Sequence, residues 1–224
     1  LLILCDFDGT ITTQDVTNFL LDHFTGPGWR EEVLPAYWAG KLNHYQLMQV
    51  LYATLQPEET ELLAVSKEIK FRANFERFVA YCKEKKYSLS VVSGGLDFYI
   101  RAFLPDDLDI PFYSYRAEYD RTGGNWQVHL PDWPPVNLDN GEDFKVRVLE
   151  ELKRQHPQDH PVVFIGDGRN DGPVARVADL VFAVRNTKLV EICTARGQVC
   201  IEFDDFAEVI TALEEFARNK SGVE

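Results

Sequence analysis

An α/β fold, a doubly wound parallel sheet with a small helical block inserted after its first strand, is what this sequence predicts. Three observations predict it. Short apolar runs of strand length alternate with amphipathic stretches of helical period along most of the chain. Two of those runs, residues 1–5 and 161–165, pass straight into acidic, glycine-containing turns. Between residues 13 and 71 the strand signal vanishes and only helical periods remain.

The first element is the apolar run 1–5, followed at once by Asp6, Phe7, Asp8, Gly9 and Thr10, which reads as a strand buried on both faces ending in a polar turn. In an extended chain, side chains two residues apart share a face about 7 Å apart, room for one phosphoryl group between Asp6 and Asp8. Two acids so close need a cation, a shared proton or open water. An equally ordinary account is a helix cap and a solvated turn.

Helical periods follow. A first helix starts at Thr13 or Gln14 and stops near Gly26-Pro27-Gly28, and a second covers 29–39 up to Gly40. Asn43 caps a third over 44–55, and Pro57 opens a fourth running to about residue 70. The block 13–71 is therefore expected to be a helical cap, set against a core of 1–12 and 72–224.

Residues 72–86 are amphipathic and helical, with Phe75, Phe78, Val79 and Cys82 on one stripe. A second strand, 87–92, closes on a Ser93-Gly94-Gly95 turn leading into a helix over 96–103. A hydroxyl and bare N–H groups at a helix start favour an anion, though Ser and Gly are also common turn residues. A β-hairpin is expected at about 112–130, turning at Thr122-Gly123-Gly124-Asn125. The helix 142–155 has Phe144, Val148, Leu149 and Leu152 on its apolar side, with Lys145 and Arg147 off it. Strand 161–165 then meets Gly166-Asp167-Gly168-Arg169-Asn170-Asp171. A helix, a strand at 180–184, a helix at 188–196, a strand at 199–201 and a last helix at 205–218 complete the chain. Ligands of such sheets lie beyond the carboxyl ends of the strands, where the turns 6–10, 93–95 and 166–171 fall.

Composition narrows the partners. With 224 residues, 45% hydrophobic, the chain can bury a sizeable core. A net charge of −13 and a pI of about 4.8 argue against nucleic acid or an anionic membrane as partner. No apolar run approaches the ~18 residues of a membrane span. No signal peptide precedes the first strand, so a cytoplasmic location is expected, and the start within a strand, without Met, suggests that a few natural residues precede it. Cys5, Cys82, Cys193 and Cys200 stand singly and read as free thiols. His23, His44, His129, His156 and His160 show no zinc-ligand spacing.

Asp6-Phe7-Asp8-Gly9-Thr10, then Ser93-Gly94-Gly95, then Lys145, then Gly166-Asp167-Gly168-Arg169-Asn170-Asp171, in that order and spacing, resemble the four motifs of the haloacid dehalogenase superfamily, in the subgroup that contains phosphoserine phosphatases. Thr10-Ile11-Thr12 with Asp15, and the stretch from Ser93 to Tyr99, resemble its methionine-salvage branch, whose substrate is 2-hydroxy-3-keto-5-methylthiopentenyl-1-phosphate. The resemblance implies a Rossmann-like core and Mg²⁺-dependent hydrolysis of a small-molecule phosphate ester. It implies Asp6 as nucleophile, Asp8 as proton carrier, and Mg²⁺ held by Asp6, the Asp8 carbonyl and Asp167. Phosphate oxygens would rest on Ser93, the Gly94 N–H and the Gly9-Thr10 turn, with Lys145 offsetting charge and Asn170 and Asp171 holding a metal-bound water or orienting Lys145.

Cap residues set the substrate expectation. Phosphoserine phosphatases carry a cap Glu and Arg that grip the amino acid, where this chain has Asp15 and Leu51. Trp29, Tyr37, Trp38, Tyr45 and Tyr52 add an aromatic surface that suits helix packing or substrate contact. A fairly apolar or polyol-like phosphomonoester is therefore expected over phosphoserine. A phospho-receiver domain, an idle phosphate-binding protein and a phosphomutase are the rival readings. Oligomeric state leaves no trace in the sequence.

Overall fold

The computed structural model describes residues 1–138 and 141–221; residues 139, 140 and 222–224, which the expected core range includes, lie outside the described residues. Its sheet has seven strands in the order β4-β3-β2-β1-β5-β6-β7. The α/β expectation holds. β1 (Leu2–Cys5) lies at the centre, with every residue buried, because Leu, Ile and Cys on both faces demand cover on both sides. β2 (Ser88–Leu96) pairs with it on one side and β5 (Val162–Gly166) on the other, both parallel. The direction of winding reverses there, and the reversal opens a crevice beyond the carboxyl ends of these strands.

β3 (Phe112–Asp120) runs parallel to β2, and β4 (Asn125–His129) returns antiparallel to close that edge. β6 (Leu180–Val184) and β7 (Ile201–Phe203) extend the other edge in parallel. The observed β7 starts two residues later than the pattern predicts. Val199 is 85% exposed whereas Phe203 is fully buried, so the core takes the later register.

Helices cover both faces. α5 (Phe75–Lys85) and α10 (Phe206–Ser221) meet through Phe75, Phe78 and Phe206. α6 (Asp97–Phe103), α7 (Phe144–Gln155), α8 (Gly172–Val177) and α9 (Lys188–Ala195) follow their strands. Ser93, Gly94 and Gly95, expected as a turn, belong to β2. Val92 pairs with Tyr113 and Leu96 with Tyr115, so three residues of β2 stand against one of β3 in a bulge. A bulge re-aims side chains while keeping the strand, and here it throws Ser93 toward the crevice.

The chain leaves the core at Thr12 and returns at Phe71, which form an antiparallel bridge. The Thr13 N–H donates to the Lys70 carbonyl at 2.9 Å and the Arg72 N–H to the Ile11 carbonyl at 2.7 Å. Between these crossings lie α1 (Val16–Thr25), α2 (Trp29–Trp38), α3 (His44–Tyr52) and α4 (Glu59–Ser66). Asn43 caps α3 in a capping box with Gln46, as its sequence predicts. α4 is shorter than the stretch to residue 70, because residues 70–72 extend to make the return crossing. These helices rest on the β3–β4 hairpin. Tyr45 Oη donates to the Val128 carbonyl at 3.1 Å, Trp126 Nε1 to the Pro57 carbonyl at 2.9 Å, and Tyr119 Oη to the Gln56 carbonyl at 2.7 Å. Among the described residues no helix is long and apolar enough to cross a membrane, and the four cysteines are free thiols.

Candidate active site

Beyond β1, β2 and β5 lies a cavity of about 120 Å³, and Asp6, Asp8, Asp15, Ser93, Gly94, Asp167 and Asn170 line it. Lys145 and Asp171 stand behind the acids. Asp6 follows β1 directly, its N–H donating to the Ile165 carbonyl at 2.8 Å, and its side chain is buried. Lys145, in the first turn of α7, is only 3% exposed, although its position on the helix reads as lying off the apolar side. Its partners explain the burial. Nζ donates to Oδ1 of Asp6 and to Oδ1 of Asp171, each at 2.5 Å. The other Asp171 oxygen accepts from the N–H groups of Asp167 and Gly168, at 2.9 and 2.8 Å. Asp171 thus both shapes the acidic loop and holds the lysine. Burial opposes the ammonium, but Asp171 and Asp6 outweigh it and keep Lys145 charged.

Carboxylate oxygens of Asp6, Asp167 and Asp171 lie within 4.8 Å of one another. One ammonium, paired with Asp6 and Asp171, stands among these three carboxylates, so that with all three ionised the cluster carries two negative charges in excess. Burial, followed by the charge of Asp171, pushes Asp6 up to about 8, with Lys145 pulling the other way. Burial, then Asp6 and Asp171, likewise lift Asp167 well above the usual carboxylate range. Hard oxygen donors at this spacing, with that uncompensated charge, fit a divalent cation. The third clustered carboxylate is that of Asp171. The Asp8 carboxylate turns to other partners: Oδ2 accepts from Tyr99 Oη at 2.9 Å and Ser93 Oγ at 3.1 Å, and Oδ1 from the Val16 N–H at 3.0 Å. Burial and then Asp15 raise Asp8 to about 7, against the pull of those donors. Asp15 is the N-cap of α1, accepting from the Asn18 N–H at 2.7 Å, and burial raises it to about 6.

Within the Gly9-Thr10 turn, Gly9 departs from its expected role. The Gly9 N–H donates to Thr12 Oγ1 at 3.1 Å and to the Gln14 carbonyl at 3.3 Å, within the loop, so it is not presented to an anion. Gly9 supplies conformation instead. Its φ is +76°, and an added Cβ would lie 2.5 Å from Asp167 Oδ2. Thr10 is fully buried and donates its hydroxyl to Asp167 Oδ1 at 3.0 Å. Two residues that the sequence reading gave no role in the site also act here. Arg72 donates from Nη2 to the Gly9 carbonyl at 2.7 Å and from Nε to the Thr10 carbonyl at 2.8 Å. A trans peptide points its N–H opposite its C=O, so this grip turns the Thr10 N–H away from Arg72. His44 of α3 lines the cavity against Gly94, where an added Cβ would lie 2.4 Å from Cε1. Burial, helped by Lys145, lowers His44 to about 4, so the imidazole is neutral. No short-range pattern marks either residue, because each acts on a segment distant in sequence.

The order of the motifs and the crevice they share agree with a match between residues 3–176 and the family model of haloacid dehalogenase-like hydrolases. The chain belongs to that family. It is 30% identical over 188 residues to a 2-hydroxy-3-keto-5-methylthiopentenyl-1-phosphate phosphatase of Brevibacillus brevis, with 82% of each chain covered. A phosphatase of the same name from Geobacillus kaustophilus is 31% identical over 218 residues, with 96% of each covered. Among solved structures, a phospho-aspartyl intermediate analogue of phosphoserine phosphatase superposes with a TM-score of 0.73 at 21% identity, covering 94% of this chain and 97% of that one. That likeness is one of fold.

The charge excess has a measurable consequence. In the cation-free protein burial holds the protons of Asp6 and Asp8 up to about pH 8 and 7, whereas unfolded carboxyls lose theirs near pH ~4. Between those limits the folded state binds more protons, so its stability falls as pH rises. We expect the melting temperature in chelator to drop from pH 5 to pH 8 and added Mg²⁺ to restore it at pH 8. A flat profile that ignores Mg²⁺ would contradict the charge balance.

Proposed function

We propose that this phosphatase hydrolyses a small phosphomonoester with an uncharged, largely apolar leaving group, by way of a phosphorylated Asp6. Lys145 holds Oδ1 of Asp6, which leaves Oδ2 to attack phosphorus. As the ester O–P bond breaks, Asp8 gives its proton to the leaving oxygen. It then takes a proton from the water that attacks the same phosphorus, freeing inorganic phosphate and Asp6. Ser93 Oγ, the Gly94 N–H and the Thr10 N–H would hold phosphate oxygens, and Lys145 would offset charge on attacker and phosphate. Asp6, the Asp8 carbonyl and Asp167 would hold Mg²⁺, which when bound neutralises the phosphate oxygens and the excess carboxylate charge. Asn170, on the cavity wall, would hold a water beside it, while Asp171 orients Lys145.

The observation that carries the substrate class is the far wall of the cavity. The inserted segment lines it with Trp29, Leu34, Leu47, Met48 and Leu51 and with the polar Asp15, Thr17, Asn18 and His44, and no lysine or arginine is among the described residues that line the cavity. A substrate carboxylate would be desolvated there without a counter-charge. A short chain bearing hydroxyl or oxo groups and a thioether end fits these apolar and polar side chains. This supports 2-hydroxy-3-keto-5-methylthiopentenyl-1-phosphate, the compound for which the relatives are named, as the substrate.

Two measurements test the reading. Asp6→Asn and Asp8→Asn should each lower kcat by about 10³-fold or more with Mg²⁺ present, while both variants remain folded at the assay temperature. Near-wild-type turnover in either would remove its assignment. In a panel of phosphate esters, the methylthio enol phosphate should exceed phosphoserine in kcat/KM by at least about 10-fold, the effect of one unpaired charge. Multiple-turnover release of inorganic phosphate also separates this reading from a receiver domain or a mutase. A preference for phosphoserine would overturn the substrate class.

A further inference from the structure

Gly95 leaves no space for a side chain: an added Cβ would lie 1.8 Å from the Tyr99 hydroxyl and 2.3 Å from Asp8 Oδ2. The hydrogen bond between those two groups fills the space, Tyr99 donating at 2.9 Å. Tyr99 is fully buried on α6, with its ring beside Phe7. Its hydroxyl oxygen lies 3.4 Å from Thr17 Oγ1, which lies 3.1 Å from the hydroxyl of Tyr52, itself fully buried. Thr17 is on α1 and Tyr52 on α3. A line of three hydroxyls therefore runs from the inserted helices into the core and ends on Asp8.

Proton counting gives the line a direction. Each hydroxyl has one hydrogen. That of Tyr99 goes to the carboxylate, so Tyr99 accepts from Thr17, and Thr17 in turn accepts from Tyr52. Burial keeps both phenols well above their ordinary pKa, so they remain donors.

We propose that Tyr99 is a positioning residue for proton delivery by Asp8, held in place by Thr17 and Tyr52. The inference rests on the reading of Asp8 as proton carrier. In the structure Oδ2 of Asp8 accepts from both Ser93 and Tyr99, while Oδ1 accepts from one backbone N–H. When a phosphate oxygen takes the Ser93 hydroxyl, Tyr99 is the side-chain donor that keeps Oδ2 turned inward. The transferable proton then sits on Oδ1. As the ester O–P bond breaks and its electron pair goes to the leaving oxygen, that proton passes from Oδ1 to the same oxygen. Because two of the three hydroxyls lie on α1 and α3, Asp8 is fully oriented only while those helices are seated on the core.

The test is the dependence on leaving group. An alkoxide needs the proton, whereas p-nitrophenolate departs without it. Tyr99→Phe keeps the ring and removes the donor. It should lower kcat on an alkyl phosphate by about 10- to 100-fold, the effect of losing a hydrogen bond to a charged group, with little change in KM. The kcat/KM for p-nitrophenyl phosphate, which covers the steps only up to release of p-nitrophenolate and so excludes the later attack of water, should stay within about two-fold, since that step needs no acid. Tyr52→Phe, remote from the reacting atoms, should give a smaller loss with the same selectivity, and should add nothing on top of Tyr99→Phe. Equal losses of kcat/KM on both esters, or no loss on either, would overturn the proposal while leaving Asp8 its role. A wild-type enzyme whose Asp8→Asn variant hydrolyses both esters normally would instead bring down the reading of Asp8, and the positioning role with it.

Discussion

Burying the Lys145 ammonium between Asp6 and Asp171 constrains everything around it. An ion pair this deep is stable only if each charge keeps its partners, and breaking one typically costs about 3–5 kcal/mol. Lys145 lies on α7, Asp6 after β1, and Asp171 ahead of α8. The triad therefore locks three segments, far apart in sequence, at the mouth of the sheet. Thr10 tied to Asp167, and Asp171 tied to the N–H groups of its own loop, complete a network in which few carboxylate oxygens lack a fixed neighbour. A site so constrained meets the demand of phosphoryl transfer, which is governed by position and charge.

Around that centre the inserted helices do two things at once. Through Trp29, Met48 and Leu51 they supply the apolar wall of the cavity. They also dock on the β3–β4 hairpin, where Trp126 stacks on Phe98 at 4.7 Å and meets Tyr52 edge-on. Aromatic pairs of this kind contribute about 0.5–1.5 kcal/mol beyond their burial. Tyr52 takes part in both jobs, since its ring packs against the hairpin while its hydroxyl faces Thr17. Selection of the leaving group and seating of the helices thus share residues.

Much of this was legible in the sequence because it was written in short-range code. The apolar runs at 1–5 and 161–165 read as buried strands, and the acids directly after them fell at the carboxyl ends, where such sheets bind ligands. The Asn43 cap was legible for the same reason. Lys145 was different. A helical lysine looks solvated until partners 139 and 26 residues away are known, and no local pattern carries them. The Ser93-Gly94-Gly95 bulge imitates a turn in composition, since glycine serves close approach as readily as it serves tight bends. The hydroxyls of Thr17, Tyr52 and Tyr99 carried no sequence signal, because tyrosine buries well whether or not its oxygen has a task.

The place of β1 in the sheet also governs how the molecule comes into being. This strand is among the first parts of the described chain to be made, yet its partners are β2, from Ser88, and β5, from Val162. Its apolar residues therefore wait, one edge at a time, for segments that leave the ribosome much later. Such long-range parallel pairing is slow and leaves sticky edges uncovered meanwhile. Folding efficiency in the cell should accordingly hinge on shielding of this nascent strand, a demand set by topology and independent of the chemistry it serves.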